Sequence, residues 1–191
     1  PVFERASKKH QFLYFSNFAL KITADAIETI ALTEIENYIW EDHIIKFTAE
    51  KLQPLFNIQY SESADADQPG AFDFEITSLG KKCHFLQLII NTSDFTWRHR
   101  NANLEIEPCE EKEKSMHIVA KLCAIGYLLQ TYKDPTTSKA IICMDGRNSE
   151  IGDSNGRSGK SLWALAPGMI YPQKYVGGKS RNLTDDNFLY D

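Results

Sequence analysis

Between Ala140 and Leu165 the chain reads AIICMDGRNSEIGDSNGRSGKSLWAL. This stretch constrains the fold more than any other, because its three parts ask for three different backbones. The apolar run Ala140-Ile141-Ile142-Cys143-Met144, in the segment SKAIICM, predicts a buried strand. A polar segment with four glycines follows and cannot be regular. From Ser161 onward, Leu162-Trp163-Ala164-Leu165 predicts an apolar helical turn. Strand, glycine loop and helix in that order are what a phosphate-binding loop requires. Glycines let backbone N–H groups converge on an anion, a lysine reaches the β- and γ-phosphates, and the adjacent hydroxyl holds Mg²⁺. Gly156, Arg157, Ser158, Gly159, Lys160 and Ser161 are therefore the candidate nucleotide-binding residues, with Ser161 as the Mg²⁺ ligand through the nucleotide. Two departures stand against the general pattern. Ser154 occupies the position where a glycine is usual, and the connection from Met144 to the loop is long.

The chain carries its own control. Gly178-Lys179-Ser180 is a second GKS, but RNLTDDN follows it and has no apolar periodicity to open a packed helix. Only the first copy has the required context.

The first third reads as β-rich. QFLYFSNFALKITADAIETIAL alternates in part, with Ala24-Asp25-Ala26 as a turn between two short strands. IENYIWEDHIIKF is ambiguous by period, and YSESADADQPGAF reads as a polar loop turning at Gln68-Pro69-Gly70. The aromatics Phe12, Tyr14, Phe15, Phe18, Tyr38 and Trp40 are expected in the core. The helical part begins near residue 80, with a helix in KKCHFLQLIINTS. A longer helix is predicted from Glu111 to Lys133, with Met116, Val119, Ala120, Cys123, Tyr127 and Leu128 as its apolar face. Acidic residues at its start and Lys133 at its end suit the helix dipole, and Asp134-Pro135 stops it.

The fold class is thus mixed α/β, in three parts. Residues 1–110 are expected to be β-rich, 111–136 helical, and 137–191 to hold the strand, loop and helix. A net charge of -5 and a pI near 5.6 give no global basic footprint, which weakens nucleic-acid binding without excluding it. No apolar run approaches the roughly 18 residues that span a bilayer. No signal peptide is visible, and a cytoplasmic protein without a membrane partner is expected. Cys83, Cys109, Cys123 and Cys143 make no CxxC pair and are expected as reduced thiols, Cys83, Cys123 and Cys143 buried. Pro1 and the closing DDNFLYD suggest a piece cut from a longer protein.

The segment LCAIGYLLQTYKDPTTSKAIICMDGRNSEIGDSNGRSGKSL resembles the junction in the primase–helicase proteins of phages, plasmids and bacterial mobile elements. There a helix ending in a GYLLxxYK-type segment leads into the first strand of a superfamily 3, AAA-like helicase domain. Gly126, Tyr127, Leu128, Leu129, Tyr132 and Lys133 carry the first half of the likeness, and Gly156, Gly159, Lys160 and Ser161 the second. FLYFSNFALKITADAIETI and CHFLQLIINTSDFTWR also look like the segment preceding such helicases. The resemblance implies an ATP- and Mg²⁺-dependent motor, assembled as a homo-oligomeric ring, usually a hexamer, on single-stranded DNA. For the three parts of the chain, 1–110, 111–136 and 137–191, it implies an adaptor, a linker or collar, and the first part of a P-loop domain. The Walker B carboxylates are not identifiable, since Asp185-Asp186 follow a polar run. Sensor and arginine-finger residues are expected beyond Asp191, so the segment alone is expected to be inactive.

Two further groups carry residue types suited to binding. His84, His99 and His117 match no zinc spacing and read as ordinary helix or surface residues. Trp97, Arg98 and Arg100, in WRHR, combine stacking with positive charge and are the candidate DNA contacts, although a solvated turn explains them as well. The rival function is a non-catalytic DNA-binding or assembly module whose glycine loop binds nothing; a different P-loop NTPase or kinase is a third reading.

Overall fold

The computed structural model describes residues 1–63, 70–94, 108–134, 136, 139–143 and 159–172. All six described strands lie before residue 77, and all three α-helices after residue 83. The class is mixed, with helices and sheets both present. A P-loop domain is not identifiable from the described elements.

The first sheet has the order β3-β2-β1-β4. Strand β1 (His10–Phe15) pairs antiparallel with β2 (Ala19–Thr23), which pairs antiparallel with β3 (Ile27–Ile30). Strand β4 (Ile44–Ile45) pairs parallel with β1. The sequence predicts two strands here and the structure has three. Phe15 N–H bonds to the Phe18 carbonyl at 2.8 Å, making a tight turn at Ser16-Asn17. The Asn17 side chain anchors that turn by bonding both backbone groups of Ala49. The turn expected at Ala24-Asp25-Ala26 forms, closed by Thr23 N–H to the Ala26 carbonyl.

Period-two alternation sends successive β1 side chains to opposite faces. Leu13 and Phe15 join Ile45 in one buried cluster, backed by Leu20 and Ile22. Of the expected aromatic core, Tyr14 and Phe15 are buried, and Phe12 and Phe18 partly so. Tyr38 and Trp40 are instead 64% and 53% exposed. They belong to a segment built of single 3-10 turns, Leu32–Glu34 and Glu41–His43, which has no continuous face to bury.

A separate hairpin, β5 (Phe56–Ser61) with β6 (Ala71–Ile76), extends into what the sequence read as polar loop. Residues 64–69, including Gln68 and Pro69, lie outside the described residues. Helix α1 (His84–Asn91) follows, then α2 (Pro108–Leu129) and α3 (Lys160–Leu165). Phe74 of β6 packs into a second cluster whose buried centre is Ile89 of α1, Ile118 of α2 and Trp163 of α3.

Helix α2 differs from expectation in its end and its face. It stops at Leu129, four residues before Lys133. Gln11, a buried polar residue on β1, accounts for the stop. Its side-chain amide donates to the Leu129 carbonyl at 3.3 Å and accepts from Thr131 N–H at 3.0 Å, so those groups leave the helical pattern. The inward face is Ile118, Leu122 and Ile125 with Val119, while Met116, Ala120, Cys123 and Leu128 are exposed. That rotation also corrects the cysteines. Cys123 and Cys143 are exposed and Cys83 is half-buried, and none of the four cysteines is in a disulfide.

The expected strand SKAIICM does not form within residues 139–143, where Ala140, Ile142 and Cys143 are exposed and Ile142 is 79% so. None of the described strands lies alongside to supply ladder hydrogen bonds. Only Ile141 turns inward. No described helix is long and apolar enough to cross a membrane.

Candidate nucleotide-binding site

The described part of the loop is its exit. Gly159 has φ 75°, in the left-handed region, and immediately precedes α3, whose first residue is Lys160. Glycine suits that position because an L side chain there is strained. A Cβ would also meet Thr92 Cγ2 at 2.9 Å, so α1 closes on the loop exit from the other side. The Gly159 carbonyl accepts from Trp163 N–H at 3.1 Å, which starts the helical turn. Ser161 and Leu162 face solvent, and Trp163 faces the core. The helix is short, as Pro167-Gly168 predicts, and runs into a 3-10 turn, Ala166–Met169. The residues after that turn, Ile170 and Tyr171, pack against the first cluster beneath β1.

Both ends of the loop reach one corner of the molecule. Ile141, before the loop, and Trp163, after it, enter the same cluster. Beside them Lys121 of α2 gives its ammonium to the Thr92 carbonyl at 2.8 Å, Thr92 Oγ1 at 3.0 Å and Ser93 Oγ at 2.9 Å. This caps the C-terminus of α1 with a positive charge, where the helix dipole favours one. Burial pushes the Lys121 ammonium down from its ordinary value, and the nearby Cys143 thiol draws it partly back up. The Lys121–Thr92 pair therefore stands against the loop exit at Gly159. Sequence reasoning missed Lys121, Thr92 and Ser93. A lysine amid the apolar residues of α2 was the available signal.

Of the candidate residues, the structure describes Gly159, the backbone of Lys160, and Ser161. Gly156, Arg157 and Ser158 lie outside the described residues, as does the Lys160 side chain. So do Trp97, Arg98 and Arg100, the second GKS and Asp185-Asp186. His84 and His117 are exposed, with His117 Nε2 3.9 Å from Glu113 on its own helix, and no cluster of metal-ligating side chains exists among the described residues.

Of the side chains that would hold an Mg²⁺-nucleotide, Ser161 is the one among the described residues, and it is exposed. Mg²⁺ takes few protein ligands and keeps waters and phosphate oxygens, so one exposed hydroxyl, Ser161 Oγ, is an adequate protein contribution. Comparison of the chain with protein-family models, curated proteins and solved structures returns no match.

Proposed function

We propose that this chain contains the entry to a P-loop ATPase. In this reading the protein is an ATP-dependent DNA helicase of the primase–helicase kind, serving replication of a phage, plasmid or mobile element. The observation that carries it is the loop's framing: Ile141 and Trp163 share one cluster, and left-handed Gly159 opens directly into a helix at Lys160. Backbone that leaves a glycine turn and enters a helix turns its N–H groups towards a common point, and a lysine there meets phosphate. Lys160 would bind the β/γ-phosphates, and Ser161 would complete the Mg²⁺ shell. A ring on single-stranded DNA, with residues 1–110 as adaptor, belongs to the same proposal.

The test is equilibrium binding of a fluorescent ATP analogue with Mg²⁺. Lys160→Ala is expected to weaken binding at least about tenfold, because it removes a charge-assisted contact. In the intact protein the same change is expected to abolish ATP hydrolysis, since charge stabilisation dominates phosphoryl transfer. Unchanged affinity and turnover in Lys160→Ala would refute the assignment.

A second reading, a non-catalytic DNA-binding or assembly module, draws on one observation. Residues 139–143 pair with none of the described strands and leave Ile142 exposed. It predicts no nucleotide binding by either form.

A further inference from the structure

A cleft of about 870 Å³ lies between strand β1, the segment around Trp40, the tail of α2 and Tyr171. It shares no lining residue with the glycine loop. Its walls are planar. Phe12 and Tyr14, two apart on β1, stack at 5.7 Å with their rings 14° from parallel. Phe3 stacks on Trp40 at 4.1 Å and 8°, which holds the indole at the cleft and leaves it 53% exposed.

Several polar groups around this cleft are matched within the fold. Hydrogen bonds from Asn37 and His10 engage both Glu4 carboxylate oxygens. Burial acts to raise the Glu4 carboxyl, but those bonds and the His10 charge outweigh it and hold it below its ordinary value. The Tyr171 hydroxyl donates to the Phe12 carbonyl at 3.4 Å, and the Lys133 ammonium donates to the Tyr127 carbonyl. Tyr14 is only 7% exposed, lines the cleft, and its hydroxyl makes no hydrogen bond among the described residues. The ring is packed away while its oxygen stays open to the cleft, so a ligand there can hydrogen-bond it without displacing a protein partner. Arg5, exposed at the rim, has no ion pair among the described residues.

We propose that this cleft binds an unpaired nucleobase, with Trp40 and Phe12 as its stacking surfaces and the Tyr14 hydroxyl as its hydrogen-bonding group. A nucleobase matches all the features at once. It has two flat apolar faces, donors and acceptors confined to its edge, and an attached phosphate within reach of a rim cation such as Arg5. An aliphatic ligand would leave the stacked walls without purpose and Tyr14 unmatched. The base arrives either in a single strand or as a free mononucleotide, and the chemistry of the cleft is the same for both. The site shares no residue with the phosphate loop, so it stands or falls apart from the ATPase reading.

The experiment is fluorescence titration of the 191-residue chain. The probes are a labelled oligothymidylate of about eight nucleotides, an abasic strand of equal length, and dTMP. The oligothymidylate is expected to bind and the abasic strand to bind at least about tenfold more weakly. Trp40→Ala is expected to weaken oligothymidylate binding about tenfold through lost stacking. Tyr14→Phe, which deletes only the hydroxyl, should weaken it about fivefold. Competition by dTMP would identify a mononucleotide site, and binding of the strand alone a strand site; each supports a base pocket. Three results would overturn the proposal: equal binding of the abasic strand, unchanged affinity in both Trp40→Ala and Tyr14→Phe, or no binding of strand and mononucleotide alike.

Discussion

Gly159→Ala isolates the backbone geometry on which the loop exit depends. At φ 75° an alanine pays the left-handed penalty, about 1–2 kcal/mol. Its Cβ would also stand 2.9 Å from Thr92 Cγ2 and 3.6 Å from Leu88 Cδ1. The first distance is too short for two carbons, so Thr92 or α3 must shift, at about 1–2 kcal/mol of overpacking. The expected loss is about 2–4 kcal/mol in all. The two contributions separate in a Thr92→Ser background. Serine deletes the obstructing methyl but keeps the hydroxyl that Lys121 uses at 3.0 Å. There Gly159→Ala should cost only the backbone share, about 1–2 kcal/mol. The difference between backgrounds is the coupling energy of a double-mutant cycle. Urea unfolding followed by circular dichroism measures all four forms. A loss below about 0.5 kcal/mol in Gly159→Ala would refute the left-handed geometry. Equal losses in both backgrounds would refute the contact between the loop exit and α1.

Other perturbations read other parts of the fold. Trp163→Ala should cost about 3–5 kcal/mol by emptying the second cluster. Trp163→Phe should cost much less, because it also deletes a buried indole N–H that has no partner among the described residues; urea midpoints would show the order. Gln11→Leu leaves the Leu129 carbonyl and Thr131 N–H without their partner, and should destabilise by about 1–3 kcal/mol in the same assay. Burial pushes the Tyr14 phenol far up and the Tyr171 phenol up to about 12, so in the folded chain both keep their protons above the ordinary tyrosine range. Their contribution is intact below the unfolded value near 10 and falls as pH rises through the window up to the folded values. Tyr14 alone then gives a slope of about 1.4 kcal/mol per pH unit in thermal or urea stability, which Tyr14→Phe should remove.

The strands of the first sheet were legible where alternation was unbroken and a turn was chemically marked. Thr23 and Ala26 close the turn that Ala24-Asp25 announces. The earlier turn at Ser16-Asn17 was not legible, because its anchor is the backbone of Ala49, far away in the chain. Helix α2 shows a different limit. Its apolar residues occupy more than one stripe, and Ile118, Leu122 and Ile125 are spaced as well for a helix as Met116, Ala120 and Cys123. The period fixes the helix but leaves its rotation open. The choice comes from what packs against it, namely Ile89, Phe74 and Trp163. The end of α2 was illegible for a related reason, since Gln11 stands 118 residues from the carbonyl it takes. Of the loop, the sequence marked Gly159 and the short helix after it. The apolar run before it was misread as a strand because apolarity reports burial, while a strand also needs a neighbour.

The glycine loop and the cleft lie on opposite sides of one mechanical connection. From Gly159 the chain passes through Trp163 in the second cluster, then through Ile170 and Tyr171 against the first. Tyr171 lines the cleft and bonds the Phe12 carbonyl on β1. The tail of α2 makes the same crossing, from Ile118 in the second cluster to Gln130 through Lys133 at the cleft wall. Gln11 fixes that tail to β1. At the loop corner, Lys121 spends its three protons on neutral oxygens and makes no ion pair among the described residues. Thr92, which Lys121 holds, stands where a Cβ on Gly159 would meet its methyl, so the ends of α1 and α2 and the start of α3 converge there. Any coupling between the two sites must be reciprocal, since each ligand shifts the other's affinity by the same factor. Oligothymidylate affinity measured with and without saturating Mg²⁺-nucleotide, in the parent chain and in Gln11→Leu, tests that route. A shift present in the parent and lost in Gln11→Leu locates the coupling at the clamp between β1 and α2. An identical shift in both excludes the clamp and leaves the Tyr171 segment as the carrier.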